Sequence, residues 1–138
     1  MIDIEQLTKE LRTDEGVKPM PYRDTVGKLT IGVGRNLDDR GLSNDEIDYL
    51  LKNDIRIVCE ELDKRLPWWR RMSAVRQRVL ANMAFNMGIN VLLTFRNTLA
   101  AMQGGRYDDA AVGMLASKWA KQVGKRAIRL SEMMKKGV

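Results

Sequence analysis

E-G-V-K-P-M-P-Y-R-D-T-V-G-K-L-T-I-G-V-G, residues 15–34, is the stretch on which the reading of this chain turns. It puts a carboxylate, Glu15, just past a short helix. It puts a second, Asp24, at a turn, and a hydroxyl, Thr30, on a β-type run. Pro19 and Pro21 forbid helix and favour extended backbone. Residues 20–23 and 28–33 therefore read as two short strands, with Asp24-Thr25-Val26-Gly27 as the turn between them and Gly27 supplying a positive φ. Gly32 and Gly34 weaken the second strand and point to a bend or a close backbone approach.

Two acids on different local structures, with a threonine beside them, are parts for acid–base hydrolysis. Glycoside hydrolysis needs a protonated carboxyl at the leaving oxygen and an ionised group acting on the other side of the sugar. A Glu at a helix end packed against a lobe is partly desolvated, which suits the acid. An Asp in a hairpin turn is more solvated, which suits the base. A hydroxyl such as Thr30 is suited to hold the attacking water. On spacing alone, surface solvation is the commoner use of two acids nine residues apart.

The remaining composition narrows the chemistry. The 138 residues contain no histidine and one cysteine, Cys59. Ser-His-Asp and Cys-His catalysis are excluded, and the usual ligands of a zinc site are missing. No intrachain disulfide can form. The formal charge of +6 points to a polyanionic partner or environment, whether nucleic acid, anionic lipid or an acidic polysaccharide wall, or to solubility alone. The N-terminus alternates apolar and charged residues without a basic segment leading into an apolar one, so no signal peptide is expected. No apolar run reaches membrane-span length, and no membrane insertion is expected.

Outward from the central stretch, residues 3–12 read as an amphipathic helix with Ile4, Leu7 and Leu11 on one face. Asp3 with Gln6 resembles a capping box, and Gly16 is placed to end the helix. Residues 36–41 read as a polar loop. Ser43-Asn44-Asp45-Glu46 is a capping box opening the longest helix. Its stripe of Ile47, Leu50, Leu51, Ile55, Val58, Leu62 and Leu66 runs until Pro67. At ~1.5 Å per residue it is on the order of 35 Å long, which suits a helix joining two lobes. Helices follow at 74–87, 90–94, 96–103 and 106–116, then a turn at 122–124 and a last helix at 125–136. The nine methionines, mostly in these helices, read as core filling. Few strands among many helices make the chain α+β and mostly α.

The segment from Thr13 to Gly34 resembles the catalytic segment of the T-even type phage lysozymes, glycoside hydrolase family 24. The pattern is Glu, eight residues, Asp, five residues, Thr, here Glu15, Asp24 and Thr30, and that threonine opens the family's T-I-G-x-G tail, here Thr30 to Gly34. Downstream, S-A-V-R-Q-R-V-L-A-N-M-A-F-N-M-G (73–88), F-R-N-T-L (95–99), R-Y-D-D-A-A (106–111), S-K-W (117–119) and K-R-A-x-R (125–129) are also similar, in family order. The resemblance implies one lysozyme-like domain, 1–138. A small β-hairpin lobe (about 13–42) and a helical lobe (67–138 with the N-terminal helix 3–12) would be joined by the helix at about 43–66.

It further implies a monomeric endolysin that hydrolyses the β-1,4 bond between N-acetylmuramic acid and N-acetylglucosamine in bacterial peptidoglycan, with inversion at the anomeric carbon and with neither a metal nor an organic cofactor. Glu15 would be the general acid; Asp24 and Thr30 would direct water. Arg126 would pair with Glu15, with Asn82 nearby. That cation favours the ionised carboxylate, and desolvation on substrate binding is expected to offset it. Sugar contacts are implied at Gly34, Phe85, Asn86, Asn97 and Thr98, with Phe85 equally readable as core. Such proteins accumulate in the host cytoplasm until a separate membrane-pore protein releases them to the wall.

Three positions depart from the pattern. Arg35 stands where histidine is frequent, removing a His–carboxylate tether. Gly113 and Val123 replace polar residues. Two alternatives stand beside the hydrolase. One is a lytic transglycosylase cleaving the same bond without water. The other is a nucleic-acid-binding helical module with Arg70, Arg71, Arg76 and Arg78 as its basic face, although it lacks interleaved aromatics, and no nucleic-acid partner is expected.

Overall fold

The structure, a computed structural model, describes residues 1–138. Helix α1 spans Ile4–Glu15. The Asp3 carboxylate accepts the Gln6 N–H at 3.0 Å and starts the helix. Gly16 ends it at φ +78°, donating its N–H to the Arg12 carbonyl. The helix runs three residues further than the expected 3–12, because nothing before Gly16 breaks it. Glu15 is thus its last residue rather than a residue beyond it.

Three antiparallel strands follow in the order β1 (Lys18–Arg23), β2 (Leu29–Gly32), β3 (Arg35–Asn36). Tyr22 pairs with Thr30 and Arg23 with Leu29, and the register is irregular between Lys18 and Tyr22, where Pro19 and Pro21 stand. The polar loop expected at 36–41 is instead the end of β3 and a short helix, α2 (Leu37–Arg40). Gly32 and Gly34, both at φ +70°, turn the chain back so that Asn36 pairs with Thr30. The Asn36 side chain then accepts the Asp39 N–H at 3.0 Å and starts α2. From α2, the Asp38 carboxylate accepts the Leu29 N–H at 2.7 Å and Asp39 pairs with Lys28 at 3.2 Å.

Helix α3 is Asn44–Arg65. Its capping box forms as expected: Ser43 Oγ accepts the Glu46 N–H at 3.2 Å, and Glu46 Oε1 accepts the Ser43 N–H at 2.8 Å. The chain divides into two compact units inside this helix, Met1–Tyr49 and Leu50–Val138. Helix α1 groups with the sheet in the first unit, whereas the sequence reading grouped it with the helical lobe. The apolar stripe of α3 divides too. Val58, Leu62 and Leu66 are buried, whereas Ile47, Leu50, Leu51 and Ile55 are nearly half exposed.

The second unit continues with a 3₁₀ helix at Pro67–Arg71, then α4 (Ala74–Met87), α5 (Ile89–Leu92), α6 (Arg96–Gln103), α7 (Tyr107–Leu115), α8 (Lys118–Val123) and α9 (Lys125–Lys136). The bounds of α4, α6 and α9 coincide with those expected from sequence. Helix α8 stands where only a turn at 122–124 was expected. Ser117 Oγ starts it by accepting the Ala120 N–H at 3.1 Å, and Gly124 at φ +59° ends it. The core packs Leu62, Trp69, Leu80, Met83, Leu92, Met102, Met114, Leu130 and Met134. Each such side chain contributes roughly 1.5–3 kcal/mol by leaving water. The core role expected of the methionines is thus observed at Met83, Met102, Met114 and Met134. The whole is mostly helical α+β, and no helix is long and apolar enough to cross a membrane.

Candidate active site

Turn chemistry builds the first unit's half of the candidate site. The Asp24 carbonyl accepts the Gly27 N–H at 3.0 Å, closing a turn that needs φ +84° at Gly27. Asp24 Oδ1 also accepts two backbone N–H groups, from Val26 at 3.0 Å and Lys28 at 2.8 Å. The carboxylate is thus held by one oxygen, and Oδ2 has no protein partner. The peptide groups of Lys28 join Asp24 to Thr30. The Lys28 N–H donates to Asp24, and its carbonyl accepts the Thr30 hydroxyl at 2.9 Å. Thr30 is the single buried residue of this unit, at 3% exposure. Its proton is committed to Lys28, so a water bound there would donate to Thr30 Oγ1.

Glu15 is exposed at the end of α1, not desolvated as its helix-end position suggested. Its side chain lies over Gly34. A Cβ at Gly34 would stand 2.9 Å from Glu15 Oε2 and 3.2 Å from its carboxyl carbon. Gly34 was expected as a sugar contact. The structure shows a different requirement, since only glycine there combines φ +70° with room for the Glu15 carboxyl.

Next along the chain, Arg35, expected only to remove a histidine tether, makes a carboxylate pair of its own. Its guanidinium bonds Glu46 Oε1 at 2.6 Å and the Gly41 carbonyl at 3.3 Å. The Arg35 hydrogen bond and the Ser43 N–H hold the Glu46 carboxyl down at about 2, from an ordinary 4.5. This pair fastens β3 to the start of α3. The capping box was legible in sequence, but its arginine partner, eleven residues away, was not.

The second unit carries the remaining expected residues. Arg126 donates twice to Asn82 Oδ1, at 3.0 and 2.7 Å. With Phe85 they line a groove of about 490 Å³ whose walls include Leu51, Ile55 and Arg78. Phe85 is 44% exposed, which decides it as a groove residue rather than core. Asn86 accepts the Trp119 indole N–H at 2.8 Å, holding α4 to α8. Asn97 is exposed with no side-chain hydrogen bond, whereas Thr98 is buried with its hydroxyl against Gly113. At Gly113, where the resemblance implied a polar residue, a Cβ would collide with that hydroxyl.

Of the four arginines considered as a nucleic-acid face, two are engaged within the protein. Arg70 pairs with Asp63 at 2.8 Å and stacks on Trp69. Arg76 is spent on the Met134 and Lys135 carbonyls and the Tyr107 ring. No cluster of three or more His, Cys, Asp or Glu is placed to hold a metal.

With this geometry in view, the comparison with known proteins is specific. The phage lysozyme family matches residues 12–135. The chain belongs to that family. Probable T4-type lysozyme 1 of Dictyostelium discoideum is 25% identical, covering 92% of each chain. The pre-baseplate central spike protein of Enterobacteria phage T4 is 26% identical over 95% of this chain, which matches 28% of that protein. The SAR-endolysin of Escherichia phage Mu is 27% identical over 85% of this chain and 72% of its own. Membership makes this phage lysozyme family protein a glycosidase-type hydrolase with peptidoglycan as its substrate.

Proposed function

We propose that the protein is an endolysin that hydrolyses the β-1,4 bond between N-acetylmuramic acid and N-acetylglucosamine, lysing the host for phage release. Glu15 protonates the leaving oxygen, and Asp24 activates the attacking water with Thr30 seating it. Arg126 and Asn82 are supporting groups. The observation that carries this reading is the half-free Asp24 carboxylate. Oδ1 is fixed by two N–H donors while Oδ2 is open, and Lys28, whose N–H is one of those donors, orders Thr30 through its carbonyl.

A carboxylate held this way orients a water without moving itself, which suits direct displacement at the anomeric carbon and an inverted product. Phe85, Asn86 and Asn97 serve as sugar contacts on this reading. Gly34 and Thr98 serve by shaping what lies beside them. The enzyme works as a monomer. It waits in the host cytoplasm and reaches the wall when a separate pore protein opens the membrane.

Mass analysis of the sugar ends released from purified walls tests the reading. Reducing N-acetylmuramic acid ends are expected. A 1,6-anhydro end would assign the protein as a lytic transglycosylase instead.

A further inference from the structure

The charge of the chain is distributed unevenly. Met1–Tyr49 carries seven Lys and Arg against eleven Asp and Glu, a balance of −4. Leu50–Val138 carries seventeen against seven, a balance of +10. Within the second unit, the stretch from Ala110 to Ser131 holds no carboxylate at all, yet holds Lys118, Lys121, Lys125, Arg126 and Arg129. Arg126 is committed to Asn82. The other four are exposed, and none has a carboxylate within ion-pair distance, although eight pairs form elsewhere in the molecule. The acids flanking this stretch are already engaged, Asp109 with Arg106 at 3.8 Å and Glu132 with Lys136 at 3.2 Å.

Two of these cations, Lys121 and Lys125, border apolar surface, and Arg129 lies one turn beyond Lys125 on the same helix. Helices α7, α8 and α9 enclose a shallow depression of about 420 Å³ floored by Leu115, Ala120, Ala127 and Ile128, with Lys121 and Lys125 at its rim. Ile128 is 62% exposed, Leu115 48%, and Val112, one turn before Leu115, 67%. On α9, Lys125, Ile128 and Arg129 share one face by their i, i+3, i+4 spacing. A face presented only to a soluble polyanion gains from the lysines and nothing from three exposed aliphatic side chains. Cations bordering exposed aliphatics match an anionic headgroup layer, where the charges meet phosphate and the aliphatics enter the acyl boundary.

We infer that the α7–α9 face, centred on Ile128 and bordered by Lys121, Lys125 and Arg129, docks the protein peripherally on a phosphate-rich lipid surface. The function is independent of bond cleavage and uses none of the residues assigned to it. It is compatible with the absence of a spanning helix, because interfacial attachment needs only one charged and apolar face.

Sedimentation with vesicles tests this. The full chain is mixed with phosphatidylglycerol–phosphatidylcholine vesicles and with pure phosphatidylcholine vesicles at ~0.15 M salt. Binding only to the first is expected. The triple variant Lys121→Gln, Lys125→Gln, Arg129→Gln should lose on the order of 10²-fold in affinity, at about a factor of five or more per cation near a charged surface. Ile128→Asn should lose several-fold with its charge unchanged.

The control Lys52→Gln, Lys64→Gln, Arg65→Gln removes the same charge elsewhere on the unit and should lose far less. Equal losses in the two triple variants would overturn the inference, because only overall charge would then matter. It would also be overturned if Ile128→Asn bound vesicles normally while soluble polyphosphate competed in wild type and in Ile128→Asn alike. The face would then read phosphate polymers rather than lipid. Glu15→Gln should bind vesicles as wild type does, which separates this outcome from that of the hydrolase reading.

Discussion

The two compact units are built on opposite physical terms. Leu50–Val138 is basic and holds every buried hydrophobic side chain in the molecule. Its order comes from packing around Leu80, Met83, Met102 and Met114. Met1–Tyr49 is acidic and buries only Thr30. It is ordered by glycine-dependent turns, by carboxylates accepting backbone N–H groups, and by ion pairs such as Arg35 with Glu46 at 2.6 Å. The proposed acid and base both stand in the unit without an apolar core. Polar tethers can aim a carboxylate at bulk water and substrate, which close-packed aliphatics cannot do. The difference teaches that substitutions in the second unit should register as lost stability, and those in the first as lost rate or altered pH response.

The largest effect expected is on the packed side. Leu80 is fully buried, and Leu80→Ala should cost about 2–5 kcal/mol in urea unfolding. A cost below ~1 kcal/mol would dissolve the contrast. Gly34→Ala comes next. Its Cβ would push against the Glu15 carboxyl, and a displaced catalytic group typically costs about 10²-fold in rate. The rate of wall clearing should fall by that order while the folded population stays above nine-tenths at 25 °C. Unchanged activity would remove Gly34 from the site.

Gly113→Ala should destabilise by about 1–3 kcal/mol, because the buried Thr98 hydroxyl must give way. The double variant with Thr98→Ser is expected to leave most of that cost in place, since serine keeps the colliding oxygen. Thr98→Ala should relieve it.

The smallest effect is a pH response confined to the first unit. Glu46 titrates at about 2 when folded and near 4.5 when free. The stabilisation from its bonds to Arg35 and Ser43 is therefore fully present above pH 4.5, and it is lost as pH falls through about 2. Glu46→Gln should flatten the stability–pH curve in that window and lower the unfolding midpoint slightly at neutral pH. An unchanged slope would show that the tether is not linked to folding.

The same contrast explains what could be read from sequence. Helices α4, α6 and α9 were legible to the residue because apolar periodicity is a local signal, sharpened for α4 and α6 by the glycines that follow them, Gly88 and Gly104. The β1–β2 turn was legible through Asp24 and Gly27. The end of α1 was not, since Thr13 and Asp14 are weak helix formers, and what lets the helix continue is the absence of a breaker before Gly16. Strand β3 is two residues long and exists only because Asn36 pairs with Thr30 across the sheet. The roles of Gly34 against Glu15, Arg35 toward Glu46 and Gly113 over Thr98 are contacts between positions 11 to 19 residues apart, which spacing does not display. In the candidate site, residue identities were thus visible early, whereas what each touches required the fold.

The central claim, that the chemistry resides in the Glu15 carboxyl of the core-poor unit, is tested most directly by the clearing rate of purified walls for Glu15→Gln, measured beside its thermal unfolding midpoint. The account predicts a rate at least about 10²–10⁴-fold below wild type, the range of a lost general acid, with a midpoint unchanged. A purified Glu15→Gln protein that clears walls at the wild-type rate would contradict it.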